Sequence, residues 1–235
     1  MRGFICLICS VLMVGGLLVA AGCAGVPIAR PAYIAGAVVE TLVAEVTVTV
    51  HSPDGNIGGN GYLIYRRPDR FHLVMLTPFG TSALEFFAAG DRITLLIPSK
   101  GVAYLGTFDD LPERQGLQGW RMMRWVVDGD PLFSPGVTGS VERVGPGGRT
   151  GTATYGPDGL LEQKISPDGE QVLYRDYRSV EGVPFPAQVE FSDPRGTRVT
   201  IVFEGPEINR PVEDAALTPK LEGVTILPLA SLKGV

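Results

Sequence analysis

The sequence predicts a mainly β protein of the α+β type, built from a largely antiparallel sheet with one amphipathic helix. Apolar and polar residues alternate with a period of two in most segments after residue 40. Turn signals rich in Gly, Pro and Asp separate these segments at short spacing, and one segment, residues 109–127, has helical periodicity instead. Since that helix must bury its apolar side, we expect it on the concave face of a strongly curved sheet.

The first 22 residues predict a lipoprotein signal peptide. Arg2 precedes an uncharged apolar run that ends in Ala20-Ala21-Gly22, and Cys23 follows at once. A membrane-spanning helix is the competing interpretation, because the run is nearly long enough. The small residues before the cysteine favour cleavage and resemble the bacterial lipobox, in which the cysteine becomes the lipidated first residue. We therefore expect lipidation at Cys23, a tether over residues 23–32 and a single domain over residues 33–235.

Composition excludes several classes of function. The chain has 20 Lys and Arg against 25 Asp and Glu, a net charge of −5 without a basic cluster, so we expect no nucleic-acid partner. Its three cysteines are Cys6 and Cys9, which would leave with the leader, and Cys23, which would carry lipid. The domain is therefore expected to fold without disulfides, and we expect a monomer.

Strands are predicted wherever the alternation is regular. The segments are EVTVTVH, GYLIYRR, RFHLVML, SALEFF, RITLLIP, GVAYLGTF, SVERV with TGTATYG, LLEQKIS, EQVLYRDYRSV, PAQVEFSD and TRVTIVFEG. Residues 52–60, SPDGNIGGN, predict a turn, because Gly58 and Gly59 can supply positive φ angles. EGVPFP, residues 181–186, is interpreted as a loop between strands. The apolar tail, residues 217–235, fits no pattern.

The helical segment leaves two interpretations open. Trp120, Met123 and Val127 fall at i, i+3 and i+7, with Arg121 and Arg124 on the other side. A helix of this kind can be an ordinary part of the core. It can also be a lid over an apolar cavity, where methionine adapts to irregular ligands.

Residues with catalytic potential are few. Only His51 and His72 follow Cys23, and neither has the spacing of a zinc site. No G-x-S-x-G elbow is present, and Asp109-Asp110 fits the first turn of the predicted helix. We expect no catalytic residue, no metal site, no cofactor and no enzymatic activity.

The apolar tip Pro78-Phe79-Gly80 lies between two strongly apolar strands, where a turn meets water. An exposed aromatic side chain there would lower solubility without adding to the core. One interpretation is a small contact under a neighbouring loop. The other is contact with a lipid surface.

Residues 40–220 resemble the outer-membrane lipoprotein receptor LolB and the wider lipoprotein-carrier fold that it shares with LolA. The resemblance is carried by an Arg-aromatic strand at Arg70-Phe71, a Pro-x-Gly turn over residues 77–80, an alternating strand over residues 84–86 and a strand ending near Lys100-Gly101. WRMMRWVVDGDP is similar to the family's helix. Phe79 stands where the family has a protruding leucine, and the tail is longer than the resemblance leads us to expect.

This resemblance implies an unclosed antiparallel half-barrel whose concave face, covered by helices, forms an apolar cavity for the acyl chains of lipoproteins or other lipids. It also implies a protein anchored by its lipid in the inner leaflet of the outer membrane, facing the periplasm, that receives cargo from a LolA-like carrier. The tip of Pro78, Phe79 and Gly80 would serve delivery to the membrane. The predicted cavity lining is Val46, Val48, Phe71, Leu73, Met75, Leu84, Phe86, Ile93, Leu95, Ile97, Trp120, Met123, Val199, Ile201 and Phe203.

The same fold leaves other functions open. A lipid- or lipoprotein-sensing regulator or scaffold is the first alternative to a carrier. A structural lipoprotein, in which the cavity is only a core, is the second.

Overall fold

The computed structural model describes residues 33–53, 55–111, 131–144 and 149–232. They form one large, curved sheet of 13 strands with free edges. The strands are β1 Thr41–Ser52, β2 Gly55–Arg66, β3 Arg70–Leu76, β4 Ser82–Ala89, β5 Arg92–Ile97, β6 Val102–Thr107, β7 Gly139–Val144, β8 Thr150–Tyr155, β9 Leu161–Ile165, β10 Gln171–Val180, β11 Val183–Ser192, β12 Arg198–Ile208 and β13 Thr225–Pro228. The prediction of a mainly β, unclosed sheet is confirmed.

The strand order is β13-β6-β5-β4-β3-β2-β1-β12-β11-β10-β9-β8-β7. All neighbours are antiparallel except β13, which runs parallel to β6. Within the described ranges, the helical elements are short 3₁₀ turns, at Pro98–Lys100, Phe108–Asp110, Asp214–Leu217 and Leu229–Ser231. The predicted start of the helix at residue 109 is wrong, because Asp109 and Asp110 belong to the 3₁₀ turn Phe108–Asp110, which ends at the extended and buried Leu111. The rest of the predicted helix, including Trp120, Met123 and Val127, lies outside the described residues. No helix in the described part of the chain is long and apolar enough to cross a membrane.

One face of the sheet, called here the inner face, carries the hydrophobic core. Alternate residues of neighbouring strands meet across it, as in the pairs Val46–Phe203 and Val48–Ile201 between β1 and β12. The core continues without a break from β5 through β1 to β8, with Phe71 stacked on Phe86 at 5.4 Å between ring centroids. A one-residue slip of any strand would turn its apolar residues outward, so burial of this face fixes the register.

The predicted turn over residues 52–60 is wrong in extent, because β2 begins at Gly55. Gly58 and Gly59 pair with Thr49 and Val48 of β1. They have no positive φ, so they serve close packing. A Cβ on Gly58 would lie 3.1 Å from the Val48 carbonyl oxygen, and one on Gly59 would lie 3.1 Å from the terminal carbon of Met75.

The predicted loop at residues 181–186 is also too long, since β11 begins at Val183. Pro184 and Pro186 lie opposite Ser179 and Tyr177 of β10. Pairing between β11 and β12 begins only at Gln188. The two prolines therefore occupy the part of β11 that has β10 alone as a partner, where a missing donor is tolerated.

The C-terminal tail is defined here as residues 212–235, of which residues 217–235 fit no pattern in the sequence. Its described part contacts three regions of the fold. Its first part, the 3₁₀ turn Asp214–Leu217, lies on the outer face of β2 and β3 and buries Leu217. Its second part is β13, which covers the edge of β6. Its last part returns Leu229 and Leu232 to the hydrophobic core. A Cβ on Gly106 would lie 2.7 Å from the Leu229 Cβ atom, so the glycine leaves room for this return.

Candidate functional site

The inner face brings together most residues predicted to line a cavity. Ten of those described belong to the core cluster and two more, Met75 and Leu84, pack against it. Ile97 is buried but lies outside that cluster. Trp120 and Met123 fall outside the described residues. The shared face is an observation, whereas the cavity-lining role of these residues stays a prediction.

Burial on the inner face decreases toward one end of the sheet. This end, called here the tip end, is where β1, β3 and β5 finish. Leu73 and Phe86 are 0 % exposed, while the next inner-face residues toward the tip end, Met75 and Leu84, are only half-buried. Ile57, opposite Val50 in the β1–β2 hairpin, is 65 % exposed. At β2, β3 and β4 the apolar face therefore opens to solvent at the tip end, while Val50 and Ile97 stay buried there.

The turn between β3 and β4 is held in one conformation by Thr77. Its Oγ1 accepts hydrogen bonds from the backbone N–H groups of Phe79 and Thr81, each at 3.3 Å, and bonds the Thr81 hydroxyl at 2.8 Å. The Gly80 N–H donates to the Thr77 carbonyl at 2.9 Å, and Gly80 has a φ of +78° that favours glycine. Pro78 fixes the backbone at the turn. The local sequence thus presents Phe79 from a rigid loop.

Phe79 is 93 % exposed. The interpretation that it packs under a neighbouring loop is therefore wrong. Among the described residues, two further large apolar side chains with high exposure, Ile57 and Val144, stand at the same end of the sheet. The tip end thus carries several apolar groups in contact with water.

A group of polar side chains on the inner face was not anticipated from the sequence. Lys164 of β9 lies opposite Ala153 of β8 and Val172 of β10, both core residues, and is only 2 % exposed. Tyr155 and Tyr174, two positions further along β8 and β10, are buried on the same face. The alternation in LLEQKIS does not predict this burial. Leu161 and Lys164, three positions apart, are both buried, because the pairing of β8 with β9 shifts register between Thr154 and Tyr155.

Tyr155 of this group and the neighbouring Tyr177 of β10 donate to backbone carbonyls. Tyr155 donates to the Pro131 carbonyl at 3.2 Å, and Tyr177 donates to the Leu161 carbonyl at 2.6 Å. Burial raises the pKa of Tyr177 well above its ordinary value, and nearby Tyr174 adds to the effect. The Tyr177 hydroxyl is therefore a neutral donor at physiological pH.

The sequence matches the family described as "Outer membrane lipoprotein LolB" over residues 42–205, more than half of the chain. The chain belongs to the LolB family. No curated protein matches it in sequence. In the described part of this LolB-family chain, no three His, Cys, Asp or Glu side chains are grouped as a metal site would require.

Solved structures share the fold at low sequence identity. A LolA superfamily protein from Nitrosomonas europaea is 10 % identical, with a TM-score of 0.53, 77 % of this chain covered and 90 % of that one. A DUF1329 family protein from Desulfovibrio piger is 11 % identical, with a TM-score of 0.56 and the same two coverages. A putative outer membrane lipoprotein-sorting protein domain from Vibrio parahaemolyticus is 7 % identical, with a TM-score of 0.51, 75 % of this chain covered and 88 % of that one. These likenesses show the fold.

The tail lies beyond the family match, and three cationic or aromatic side chains of the outer face hold it. Arg66 and Arg70 are direct cross-strand neighbours, a pairing of like charges that is unfavourable by itself. Asp214 bonds both guanidinium groups, and Arg66 and Arg70 also donate to the carbonyls of Val212 and Leu217. We call the contacts of Arg66, Arg70 and His72 with residues 212–218 the tail latch.

His72 completes the tail latch. Its ring lies 3.8 Å from the Phe87 ring, nearly parallel to it, and Nδ1 donates to the Ala216 carbonyl at 2.8 Å. Nε2 is 3.2 Å from Glu85 Oε2, and Ser82 donates to the other oxygen of that carboxylate at 2.8 Å. Two residues of the motifs that carry the family resemblance therefore also act on the outer face. Arg70 binds the tail directly, and Glu85 contacts His72, which binds the tail.

Replacing Asp214 with Asn should lower the melting temperature by a small amount at pH 7 and have less effect in acid. The hydrogen bond from Arg66, with the charges of Arg66 and Arg70, holds the pKa of Asp214 below its ordinary value of 3.8. A lowered folded-state pKa contributes stability above the unfolded value, and that contribution disappears as the pH falls through the folded pKa. Melting curves of both chains between pH 7 and pH 2.5 check this.

The control is Glu222→Gln, which removes another exposed acid of the same tail. We expect it to match the wild type at every pH. If the difference in melting temperature between Asp214→Asn and the wild type stays constant from pH 7 down to pH 2.5, the charge of the carboxylate has no role in stability.

Proposed function

We propose that this chain is a lipid-anchored acceptor and carrier that holds the acyl chains of lipoproteins, or of other lipids, on the inner face and inserts them into the outer membrane. The LolB-family match and the shared fold of a LolA superfamily protein support a carrier of lipoproteins. The proposal places the lipid on Cys23, in the inner leaflet of the outer membrane, with the domain facing the periplasm. Cargo would come from a LolA-like periplasmic carrier.

The observation that carries the proposal is the position of Phe79. A 93 % exposed aromatic side chain stands on a rigid turn at the end of the sheet where the buried inner face opens. An acyl chain leaving water gains about 0.8 kcal/mol per buried CH₂, so an apolar face holds it without directed contacts. Phe79 can enter the headgroup boundary of a bilayer beside the point where such a chain would leave.

Opening and closing of the inner face are assigned to the segment after β6. The sequence predicts a helix here with Trp120 and Met123 on its apolar side, and we propose that this predicted helix acts as a lid over the cargo. A lid that moves aside at an unclosed sheet would let the acyl chains exchange without unfolding the core. No cofactor takes part in this exchange.

Two measurements test the proposal. The purified chain is extracted with organic solvent and analysed by mass spectrometry, where we expect reproducible acyl lipid. An interior without lipid would contradict both the carrier and the sensor. Depletion of the protein in its host should then leave lipoproteins in the periplasm or inner membrane. Normal sorting after depletion would favour the alternative, a sensor or scaffold of the same fold.

A further inference from the structure

We infer that the inner face contains a head-group site, made by Lys164, Tyr155 and Tyr174, that selects amphiphiles with an anionic head. The inference rests on the acyl-binding role proposed for that face and adds an orientation to it. The head of the ligand would lie against β8–β10, and its acyl chain would extend toward β3–β5.

The two halves of the inner face differ in chemistry. The inner residues of β3, β4 and β5 are Phe, Leu, Met, Ile and Ala, including the fully buried Leu73 and Phe86. On β8–β10, in contrast, an ammonium group and two phenol groups occur among Ala153, Val172 and other core residues. A long acyl chain has no favoured direction on a uniformly apolar surface, but this asymmetry gives it one.

Lys164 is the decisive member of the group. Its position opposite Ala153 and Val172 places the start of its side chain in the core, and only 2 % of the residue is exposed. A buried ammonium group is costly unless an anion and hydrogen-bond acceptors surround it. A carboxylate or phosphate brought by a ligand is such an anion, and phenol hydroxyls are hydrogen-bond donors that suit the same oxygens.

All three side chains already take part in interactions within the protein: Tyr155 donates to the Pro131 carbonyl, and Lys164 and Tyr174 have partners of their own. A ligand head group therefore joins or displaces the present partner of each side chain. The distance from β9 to β1 is four strand spacings, roughly 19 Å along the sheet. A long acyl chain whose head is at Lys164 consequently reaches β1, whose inner residues are apolar, and points toward β3–β5.

Photoreactive lipid probes test this site in the full-length chain, purified in a nonionic detergent. One probe is a long-chain fatty acid with a diazirine near its methyl end, and the second is its methyl ester. A third probe, a diazirine phosphatidylglycerol, distinguishes a phospholipid phosphate from a free carboxylate as the source of the anion. Labelling is compared between the wild type, Lys164→Met and a matched control, Lys100→Met, which removes an exposed lysine.

In the wild type we expect the acid to label inner-face residues of β1 and of its neighbours β12 and β2. The ratio of acid to ester labelling should fall about tenfold in Lys164→Met and stay unchanged in Lys100→Met. Because detergent partition of each probe is the same for all chains, it cancels in this comparison. Equal ratios in the wild type and Lys164→Met, for the acid and for the phospholipid, would overturn the head-group site.

Two further outcomes separate this inference from the proposed function. Strong labelling of the inner face with no dependence on Lys164 leaves the acyl-binding role intact and overturns only the head-group site. If no probe labels the inner face of any chain, both are overturned. Circular dichroism melting checks that each variant folds, and if Lys164→Met does not, Tyr174→Phe, which keeps the ring and removes one donor, is expected to lower the same ratio.

Discussion

A chain carrying Phe79→Glu should bind acyl cargo as well as the wild type but deliver it to vesicles at least about tenfold more slowly. Phe79 is 93 % exposed, so its replacement leaves the core and the inner face unchanged. Moving a phenylalanine side chain out of water is worth about 1.5–3 kcal/mol, which corresponds to a factor of roughly ten to a hundred. Glutamate loses that contribution and adds a charge that the headgroup boundary does not favour.

The measurement loads the chain with a fluorescent lipoprotein and follows transfer to vesicles by flotation. Phe79→Leu, which restores the residue expected from the family resemblance, should deliver at close to the wild-type rate. Ile34→Glu is the matched control, because Ile34 is another exposed apolar residue, 57 % accessible, beside Gly182 at the other end of the sheet. If Phe79→Glu delivers normally, or if Ile34→Glu delivers equally slowly, the tip is not the place of delivery.

The inner face could be predicted from the sequence because strand alternation is a local property. In β1, Val46 and Val48 alternate with polar residues, and burial of one face leaves a single register for such a strand. The same reasoning located Phe79, since a Pro-x-Gly turn between two apolar strands has few conformations. Its exposure still required the structure, because no local pattern shows whether a neighbouring loop covers a turn.

Three features could not be predicted, each because it depends on contacts distant in sequence. Gly58 and Gly59 have the composition of a turn, yet their role is to let β1 and the Met75 side chain approach β2. Lys164 reaches the inner face through a register shift between β8 and β9. The tail has no alternation long enough to predict β13, and parallel pairing with β6 depends on a neighbour more than 100 positions away.

Removal of the tail should cause the largest loss of stability among these predictions. Deleting residues 212–235 removes the buried side chains of Leu217, Leu229 and Leu232 and exposes the surfaces that they cover. Burial of each side chain stabilises the fold by about 1.5–3 kcal/mol, from which the entropy cost of ordering the segment must be subtracted. We expect a net loss of about 3–5 kcal/mol, or a melting temperature lower by roughly 10 °C or more. Thermal melting and light scattering of the deletion variant measure both stability and association.

A shorter deletion separates the contributions of the tail latch and the edge strand. Removing only residues 225–235 takes away β13, Leu229 and Leu232 but keeps the contacts of Arg66, Arg70 and His72 with residues 212–218. This variant should be more stable than the longer deletion and less stable than the full chain. It should still associate, because the N–H and C=O groups of β6 become a free edge that can pair with another chain. The longer deletion also removes the Ala216 carbonyl that accepts from His72, and it leaves Arg66 beside Arg70 without Asp214. Equal melting temperatures for the two deletions would show that the latch contributes nothing, and an unchanged melting temperature in both would contradict any structural role for the tail.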